Sequence, residues 1–270
     1  EKIDTSKGNF PGRGRKPLTD TRFHHYLNMY LGLQKSSNIY CATLVQRIIQ
    51  NFGDEWYRAE LYNTFGFGRK TGIELPGETI GMLPTPGKKH PNGRLEWSTP
   101  TPYSMAMGHN IQASSLQMAR AYAVIANGGY LVEPTLIKKV IKTHSDGSRE
   151  ILLDHTTPER VASFPKVLDE AVIKEVVKAM KGVTKPGGGA PSADIWGYTE
   201  AGKTGTTMKI IGGHYSEKSH FASFLGFTPA DKPAFVVMVG MDEPAVGFIP
   251  GKGLNHFGGT CSAPVFREIA

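Results

Sequence analysis

Two short polar stretches, AGKTGTT and SSN, contain the residue types that acyl transfer requires. A serine that transfers an acyl group needs a base, a proton relay to the leaving amine, a cation for a substrate carboxylate and N–H donors for the oxyanion. Lys203 could hold a carboxylate together with the hydroxyls of Thr204 and Thr206, and the N–H of Thr206 could be an oxyanion donor. Ser36 could relay protons, and the side-chain amide of Asn38 could bind a substrate carbonyl.

Each of these residues also has a purely structural interpretation. Ser36 or Asn38 could cap the helix that follows, and Lys203 could be a solvated lysine on an edge strand. At average composition, Lys-Thr-Gly occurs by chance in roughly one chain of this length in fifteen to twenty, whereas Ser-x-Asn occurs in about every second chain. The motifs alone therefore leave both interpretations open.

A nucleophile is missing from this pattern. Serine and lysine in S-x-x-K lie one helical turn apart, so that the amine faces the hydroxyl. The sequence contains one match, Ser163 to Lys166 in SFPK. Pro165 argues against a helix interior there, and the match follows SSN along the chain instead of preceding it. We interpret SFPK as a coincidence and predict no nucleophile in this segment.

Charge and composition argue against several other kinds of site. The net charge of +7 and the basic residues Arg13, Arg15 and Lys16 could suggest a nucleic-acid arm. Without interleaved aromatic residues or a recognition helix, a solvated basic surface is favoured and no nucleic-acid partner is expected. Cys41 and Cys261 are interpreted as ordinary buried thiols. The histidines have no metal-binding spacing, so neither a metal nor a cofactor is predicted.

The size and the ends of the chain bear on its context. The 270 residues are enough for one large domain or two small ones. No stretch approaches the roughly twenty apolar residues of a membrane span, so the segment is expected to be soluble. The chain begins with Glu1 and not with methionine, which suggests a piece of a longer protein.

Helical spacing predicts two helices directly after SSN. The stretch NIYCATLVQRIIQ places Ile39, Ala42, Val45 and Ile49 on one face, and DEWYRAELYNTF is predicted as a second helix that ends at Gly66. The stretches TGIELPGE and GMLPTPGKKHPNGRLEWSTPTP are rich in proline and glycine and are predicted as loops.

Two further helices are predicted in the middle of the chain. Ser114 and Gln117 form a capping box, so one helix begins at Ser114 and ends near Asn127. Its predicted apolar face includes Leu116, Ala119 and Ala123. LVEPTLIKKVI is predicted as a strand, and PGGGAPS as a flexible connector. Residues 168–181 are predicted as the other helix, with Val172, Val176 and Met180 on one side.

Three strands are predicted around the lysine of AGKTGTT. KTGTTMKI, SHFASFLGFT and AFVVMVGM are predicted to form an antiparallel meander, with a loop of about ten residues between the first two. The turn PADKP joins the last two, and AFVVMVGM is apolar enough to be buried on both faces. The sheet would give Lys203 a rigid position.

Several longer blocks resemble one known family in order and spacing. Over nearly all of residues 28–270 they resemble the transpeptidase domain of class B penicillin-binding proteins, and the blocks are LQKSSN, FGFGRKTGIELPGE, SMAMGHNIQASSLQMARAYAVIANGG, AGKTGTT, FLGFTPADKPAFVVMVGMDEP and GGTCSAPVFREI. The resemblance implies a mixed α/β fold of the penicillin-binding protein transpeptidase and serine β-lactamase type. In that fold helices cover both faces of an antiparallel sheet, and a helical lobe stands beside it. Residues 1–27 would be an irregular lead-in, and residues 28–270 the C-terminal portion of the domain.

The resemblance also implies a reaction. In D,D-transpeptidation a serine attacks the D-Ala-D-Ala end of a peptidoglycan stem peptide, releases the last D-Ala and passes the acyl group to the amine of a neighbouring stem. β-Lactams mimic that dipeptide and acylate the serine. By motif position the implied catalytic residues are Ser36, Asn38 and Lys203, and the implied substrate-binding residues are Thr204, Gly205, Thr206 and Thr207.

This sequence departs from the family because the first motif, S-x-x-K, is missing. In the family that motif lies upstream of where Glu1 would align. The resemblance therefore implies that this segment is inactive alone, and that an upstream part supplies the nucleophile, a helix and further strands. It implies a parent protein in the inner membrane, facing the periplasm, whose partners include stem peptides, β-lactams, a membrane glycan polymerase and division proteins. LQKSSN and EWS favour a division-type member over an elongation-type one. A catalytically dead sensor of cell-wall peptides or β-lactams and a serine β-lactamase relative remain as alternatives.

Overall fold

The computed structural model describes residues 1–212, 214–251 and 253–270. Its helices are α1 (Met29–Gln34), α2 (Asn38–Phe52), α3 (Asp54–Asn63), α4 (Thr101–Met105), α5 (Ser115–Ala126), α6 (Pro158–Ser163), α7 (Glu170–Lys181) and α8 (Gly258–Ile269). Its strands are β1 (Ile3–Asp4), β2 (Tyr26–Leu27), β3 (Lys139–Thr143), β4 (Arg149–Asp154), β5 (Ala201–Ile211), β6 (His214–Thr228), β7 (Phe235–Asp242), β8 (Phe248–Ile249) and β9 (Gly253–Leu254).

A three-stranded antiparallel sheet in the order β5-β6-β7 forms the centre of the fold. The predicted meander is thereby confirmed. The predicted ten-residue loop is wrong, because β5 continues to Ile211 and β6 begins at His214, and these two residues pair with each other. Extending the hairpin gives backbone groups of this segment partners in the neighbouring strand, where a loop would leave them to water. Gly213, which falls in the predicted loop, lies outside the described residues.

Helices cover both faces of the sheet, which confirms the predicted fold class. Phe224 and Phe227 of β6 are both fully buried and point to opposite faces, because an odd number of positions separates them. Phe224 packs against Phe266 of α8, with ring centroids 4.7 Å apart. Phe227 packs in a second cluster with Met180 of α7 and the partly buried Ile125 of α5.

The last strand of the sheet is less buried than its sequence predicts. In β7, Val239 is buried, but Phe235 is 43% exposed and the other apolar side chains are half-buried. The prediction that AFVVMVGM is buried on both faces is therefore wrong. The reason is position, since within the described part of the chain β7 lies at an edge of the sheet.

A helical lobe built from α2, α3 and α4 stands beside the sheet. Its core includes Val45, Tyr57, Leu83, Trp97 and Met105. The prediction for α2 is confirmed, with its expected apolar face turned inward. α3 ends at Asn63, short of the predicted end, and the proline-rich and glycine-rich stretches between α3 and α4 form loops as predicted.

The start of α5 is confirmed, but its predicted apolar face is only half-buried. The Gln117 N–H donates to Ser114 Oγ at 3.1 Å, and the Ser114 N–H donates to Gln117 Oε1 at 2.8 Å, so both bonds of the capping box form. Buried positions of this helix are Gln117, Arg120, Ala121 and Val124, whereas Leu116, Ala119 and Ala123 are half-buried. The two polar side chains can be buried because they donate to backbone carbonyls of neighbouring loops, those of Arg69, Ile80 and Val132.

Predictions for the segment between α5 and β5 are partly corrected. In α7, Met180 is buried as predicted, but Val172 is 52% exposed and Ile173 is buried instead. LVEPTLIKKVI forms a strand only in its last residues, as β3, because Pro134 cannot donate to a strand ladder. Its partner β4 was not predicted. PGGGAPS is packed and not a free connector, since Ala190 is fully buried in the α8 core cluster.

Residues 1–27 contain little regular structure apart from β1 and β2, which pair with each other. Two of their apolar side chains, Phe10 and Leu18, are nevertheless buried against Ile39 and Ala42 of α2. This segment is therefore attached to the helical lobe by side-chain packing. Among the described residues, no helix combines the length and the apolar character needed to cross a membrane.

Candidate active site

Lys203 lies on β5, at an edge of the central sheet, opposite Leu225 of β6. A strand at an edge leaves part of its backbone N–H and C=O groups without a strand partner. Such groups can bind an extended peptide as an additional strand. Gly205, two residues further along, has no side chain to obstruct that approach.

A direct hydrogen bond joins the two predicted motifs. The Lys203 Nζ donates to Ser36 Oγ at 2.7 Å, although 167 positions separate the two residues in the sequence. The same ammonium donates to the Thr204 carbonyl at 3.1 Å and lies 3.5 Å from Thr204 Oγ1. Burial lowers the pKa of Lys203 to about 8. The alternative of a solvated lysine is therefore wrong, because this side chain is half-buried and donates to Ser36 in the turn before α2.

The turn that carries Ser36 joins α1 to α2 and has an unusual backbone. Ser36 has φ +54°, in the left-handed region that residues with a side chain seldom adopt. The N-cap of α2 is Ser37, whose Oγ accepts from the Tyr40 N–H at 3.0 Å. The capping alternatives for Ser36 and Asn38 are therefore wrong. The hydroxyl of Ser36 instead accepts from Lys203.

Asn38 is the first residue of α2, and its side-chain Nδ2 donates to the Thr19 carbonyl at 3.2 Å. Cys41 lies one turn further along the same helix. It is a free, half-buried thiol, and burial raises its pKa while the charge of Lys203 lowers it. Cys261 is also a free, half-buried thiol. In the described part of the chain, no group of three or more His, Cys, Asp or Glu residues could hold a metal ion.

The threonines of AGKTGTT occupy two different environments. Thr206 Oγ1 accepts from the Gly258 N–H at 3.1 Å, at the first residue of α8. Thr207 is exposed, and its hydroxyl lies 3.5 Å from the Met208 carbonyl. The N-terminus of α8, which carries a partial positive charge, thus lies beside the exposed hydroxyl end of the motif.

Gly258 allows α8 to begin this close to the sheet. A Cβ atom at this position would lie 2.1 Å from the Ser223 carbonyl oxygen and 2.7 Å from that of Gly205. Both distances are shorter than van der Waals contact, and both neighbours are backbone atoms. Only glycine therefore permits the observed contact between α8 and Thr206.

The S-x-x-K match in SFPK does not form a nucleophile and base pair. Ser163 is the last residue of α6, and its hydroxyl donates to the Arg160 carbonyl at 2.7 Å. The Lys166 ammonium lies over the ring of Tyr130, 5.8 Å from its centroid. The helix ends before Pro165, as the sequence predicts.

Two further residues, which the sequence did not predict, hold the SSN turn in place. Asp20 accepts from the Ser37 hydroxyl at 2.5 Å and from the Ile39 N–H at 3.0 Å. Lys35 Nζ donates to the Gly187 carbonyl at 2.8 Å and so links the SSN turn to the segment before β5. No periodicity or capping pattern in the sequence marks Asp20 or Lys35, because their partners lie far away along the chain.

The known proteins to which this chain is similar agree with this geometry. The family model for the penicillin binding protein transpeptidase domain matches residues 1–270. The probable peptidoglycan D,D-transpeptidase PenA of Neisseria meningitidis is 30% identical over 257 residues, which are 95% of this chain and 37% of that protein. The chain thus spans little more than a third of the length of such curated relatives.

Solved structures give the same result. The apo transpeptidase domain of Burkholderia pseudomallei penicillin-binding protein 3 has a TM-score of 0.76 at 29% identity, covering all of this chain and 70% of that chain. Mycobacterium tuberculosis penicillin-binding protein 3, complexed with aztreonam, has a TM-score of 0.75 at 26% identity, covering all of this chain and 55% of that chain. The resemblance described from the sequence is confirmed, and the chain belongs to the penicillin-binding protein transpeptidase domain family.

Proposed function

We propose that this chain forms the substrate-binding part of a peptidoglycan D,D-transpeptidase that β-lactams acylate. The observation that carries the proposal is the hydrogen bond between Lys203 Nζ and Ser36 Oγ. It brings a cation and a hydroxyl relay together beside the edge of a strand, which is the combination that acyl transfer to and from a peptide needs.

In this proposal each motif residue has a defined task. Lys203 holds the terminal carboxylate of the donor peptide, with hydroxyl groups from Thr204, Thr206 and Thr207 around it. Gly205 lets the peptide backbone approach β5. Together with the N-terminus of α8, the ammonium gives the carboxylate subsite a positive potential.

The tasks of the SSN turn concern proton transfer and orientation. Ser36, bonded to the Lys203 ammonium, gives its hydroxyl proton to the departing D-Ala amine and takes up the proton that the nucleophilic serine releases. The Asn38 amide orients a peptide carbonyl after exchanging its bond with Thr19 for one with the substrate. The Thr206 N–H supplies one oxyanion donor.

We place the nucleophile outside these residues. The S-x-x-K match has its serine and lysine bonded elsewhere, and the chain spans only part of its relatives. We further propose that residues 28–270 are the C-terminal portion of the domain and that residues 1–27 lead into it. The parent protein would act at the periplasmic face of the inner membrane, in a division role, with a glycan polymerase and division proteins as partners.

The experiment that tests this function follows D-Ala release. The full-length protein that contains this chain is incubated with a stem pentapeptide ending in D-Ala-D-Ala and an acceptor stem. We expect release of D-Ala and formation of a cross-linked product, both blocked by penicillin. Peptide binding without release would favour the sensor alternative, and rapid turnover of penicillin would favour the β-lactamase alternative.

Ser36 allows the hydroxyl and the backbone of the SSN turn to be tested separately. Glycine adopts the φ of +54° without strain, whereas alanine keeps the strain of a residue with a side chain. The Ser36→Gly variant should therefore be more stable than the Ser36→Ala variant by about 1 kcal/mol. Both variants lack the proton relay, so both should lower the acylation rate constant by about 100-fold or more. Urea unfolding and penicillin acylation measure the two effects. A glycine variant that acylates at the wild-type rate would remove the hydroxyl from the mechanism.

A further inference from the structure

The segment before α1 accepts three hydrogen bonds from the SSN turn and the start of α2. Asp20 Oδ2 accepts from the Ser37 hydroxyl at 2.5 Å, and Oδ1 accepts from the Ile39 N–H at 3.0 Å. The neighbouring Thr19 carbonyl accepts from Asn38 Nδ2 at 3.2 Å. Thr19 and Asp20 thus accept hydrogen bonds from the three consecutive residues 37–39, and the first two of these belong to the SSN motif.

The carboxylate of Asp20 is well suited to this task. The Ile39 N–H lies in the first turn of α2, where N–H groups have no partner within the helix. This end of the helix also carries a partial positive charge. A carboxylate that accepts this N–H forms a charge-assisted hydrogen bond, which is stronger than a neutral one. Ser37 is almost fully buried, and its hydroxyl both donates to Asp20 and accepts from the Tyr40 N–H. Its position is therefore fixed from two sides.

The chain segment that carries Asp20 is itself packed against the helical lobe. Leu18, two residues earlier, is 4% exposed and packs with Phe10 in the cluster that contains Ile39. The Leu18 N–H also donates to the Gly8 carbonyl at 2.7 Å. Asp20 therefore connects the core of the helical lobe to the turn that carries the motif.

The turn needs such support because of Ser36. Its left-handed backbone is disfavoured for a residue with a side chain and persists only where the surroundings impose it. The local bonds of the turn are short-range, and they include the Ser36 N–H to the Leu33 carbonyl at 3.1 Å and the Ser37 N–H to the Gly32 carbonyl at 3.0 Å. If Ser37 were released, Ser36 could relax and its hydroxyl would leave the Lys203 ammonium.

We propose that Asp20 is a positioning residue for the SSN turn, which keeps the Ser36 hydroxyl within hydrogen-bond distance of Lys203 Nζ. It acts through Ser37 and the N-terminus of α2 and does not touch the substrate. The inference rests on the proposed function for its catalytic consequence, whereas its geometric part is independent of that function.

The test compares Asp20→Ala and Asp20→Asn with the wild type in the full-length protein. Stopped-flow penicillin acylation separates the binding constant from the acylation rate constant. A small displacement of a catalytic group slows the chemical step much more than binding, so we expect Asp20→Ala to lower the rate constant by about tenfold to a hundredfold with little change in binding. Asp20→Asn keeps one good acceptor and should fall between the two.

The chain offers a matched control for this substitution. Asp146, in the turn between β3 and β4, accepts from the Ser148 N–H at 2.9 Å and from the Ser148 hydroxyl at 2.6 Å. It therefore makes the same two kinds of bond, outside the candidate site. Asp146→Ala should leave both acylation constants unchanged. Ser37→Ala should lower the rate constant as Asp20→Ala does, and the double variant should lose less than the product of the two effects.

A second measurement keeps this inference separate from the proposed function. In a crystal structure of the Asp20→Ala protein, we expect the distance from Ser36 Oγ to Lys203 Nζ to exceed 3.5 Å. A wild-type distance together with a wild-type rate constant would overturn the role of Asp20. If penicillin does not acylate the wild-type protein at all, the proposed function fails, and the distance alone still decides whether Asp20 positions the turn.

Discussion

Replacing Lys203 by alanine in the full-length protein is expected to slow acylation by a carboxylated β-lactam by about 10- to 150-fold. The estimate follows from the loss of a hydrogen bond between charged groups, worth about 1.5–3 kcal/mol, at 1.4 kcal/mol for each factor of ten. The lost contact is the one between the ammonium and the carboxylate of the ligand. Stopped-flow measurement with a fluorescent penicillin gives the rate constant directly.

Lys209 is the matched control, because it lies on the same strand. Its ammonium pairs with Asp242 and Glu243, both at 2.9 Å, and these carboxylates are exposed. Surface pairs of this kind contribute about 0–1 kcal/mol, so Lys209→Ala should acylate at nearly the wild-type rate. Equal rates for Lys203→Ala and the wild type would remove Lys203 from the site.

The same ammonium predicts a pH dependence. Since burial lowers the pKa of Lys203 to about 8, half of the free protein carries a neutral amine at that pH. The second-order acylation constant reports groups of the free enzyme, so it should fall as pH rises through about 8. Lys203→Arg stays charged across this range and should remove the fall. A constant that rises through the same range would show that the neutral amine, acting as a base, is the active form.

Replacing Glu200 by alanine is expected to lower the free energy of unfolding by about 1.5–3 kcal/mol, the usual contribution of a hydrogen bond to a charged group. Glu200 immediately precedes β5, and its side chain is fully buried. The carboxylate accepts from the Thr184 hydroxyl at 2.5 Å, from Lys185 Nζ at 3.0 Å and from the Ile195 N–H at 3.3 Å. Without it, the buried Thr184 hydroxyl loses this partner and a cavity remains. Urea unfolding of the full-length protein, followed by tryptophan fluorescence, measures the loss.

Asp194 provides the control, because it pairs with the same lysine. Lys185 Nζ lies 2.6 Å from Asp194 Oδ1, but the Asp194 side chain is 48% exposed. Asp194→Ala should therefore cost only about 0–1 kcal/mol. Similar losses for the two variants would show that burial of Glu200 does not determine its contribution. Because Glu200 anchors the start of β5, its variant should also acylate more slowly than Asp194→Ala.

Local signals explain which parts of the fold could be predicted from the sequence. The start of α5 follows from Ser114 and Gln117, whose bonds join neighbours in the chain. α2 follows from its apolar spacing, and the meander from three apolar runs separated by turn residues. In each case the deciding contacts lie within a few residues, or within strands joined by one turn.

Long-range contacts explain the rest. Burial of Gln117 and Arg120 was not predicted, because the carbonyl partners that allow it are supplied by loops distant in the sequence. The motif residues Ser36 and Lys203 were found by type, but their bond spans the fold and no spacing rule predicts it. Asp20 lies in a segment without periodicity, and its role became visible only once Ser37 was placed beside it.

We propose that this chain binds the substrate of a reaction whose nucleophile lies elsewhere in the same protein. The most direct measurement is peptide mapping by mass spectrometry of the full-length protein after incubation with penicillin. We predict a single penicilloyl adduct, on the serine of an S-x-x-K motif outside residues 1–270. An adduct on Ser163, on Ser36 or on another residue of this chain, or no adduct at all, would contradict the account.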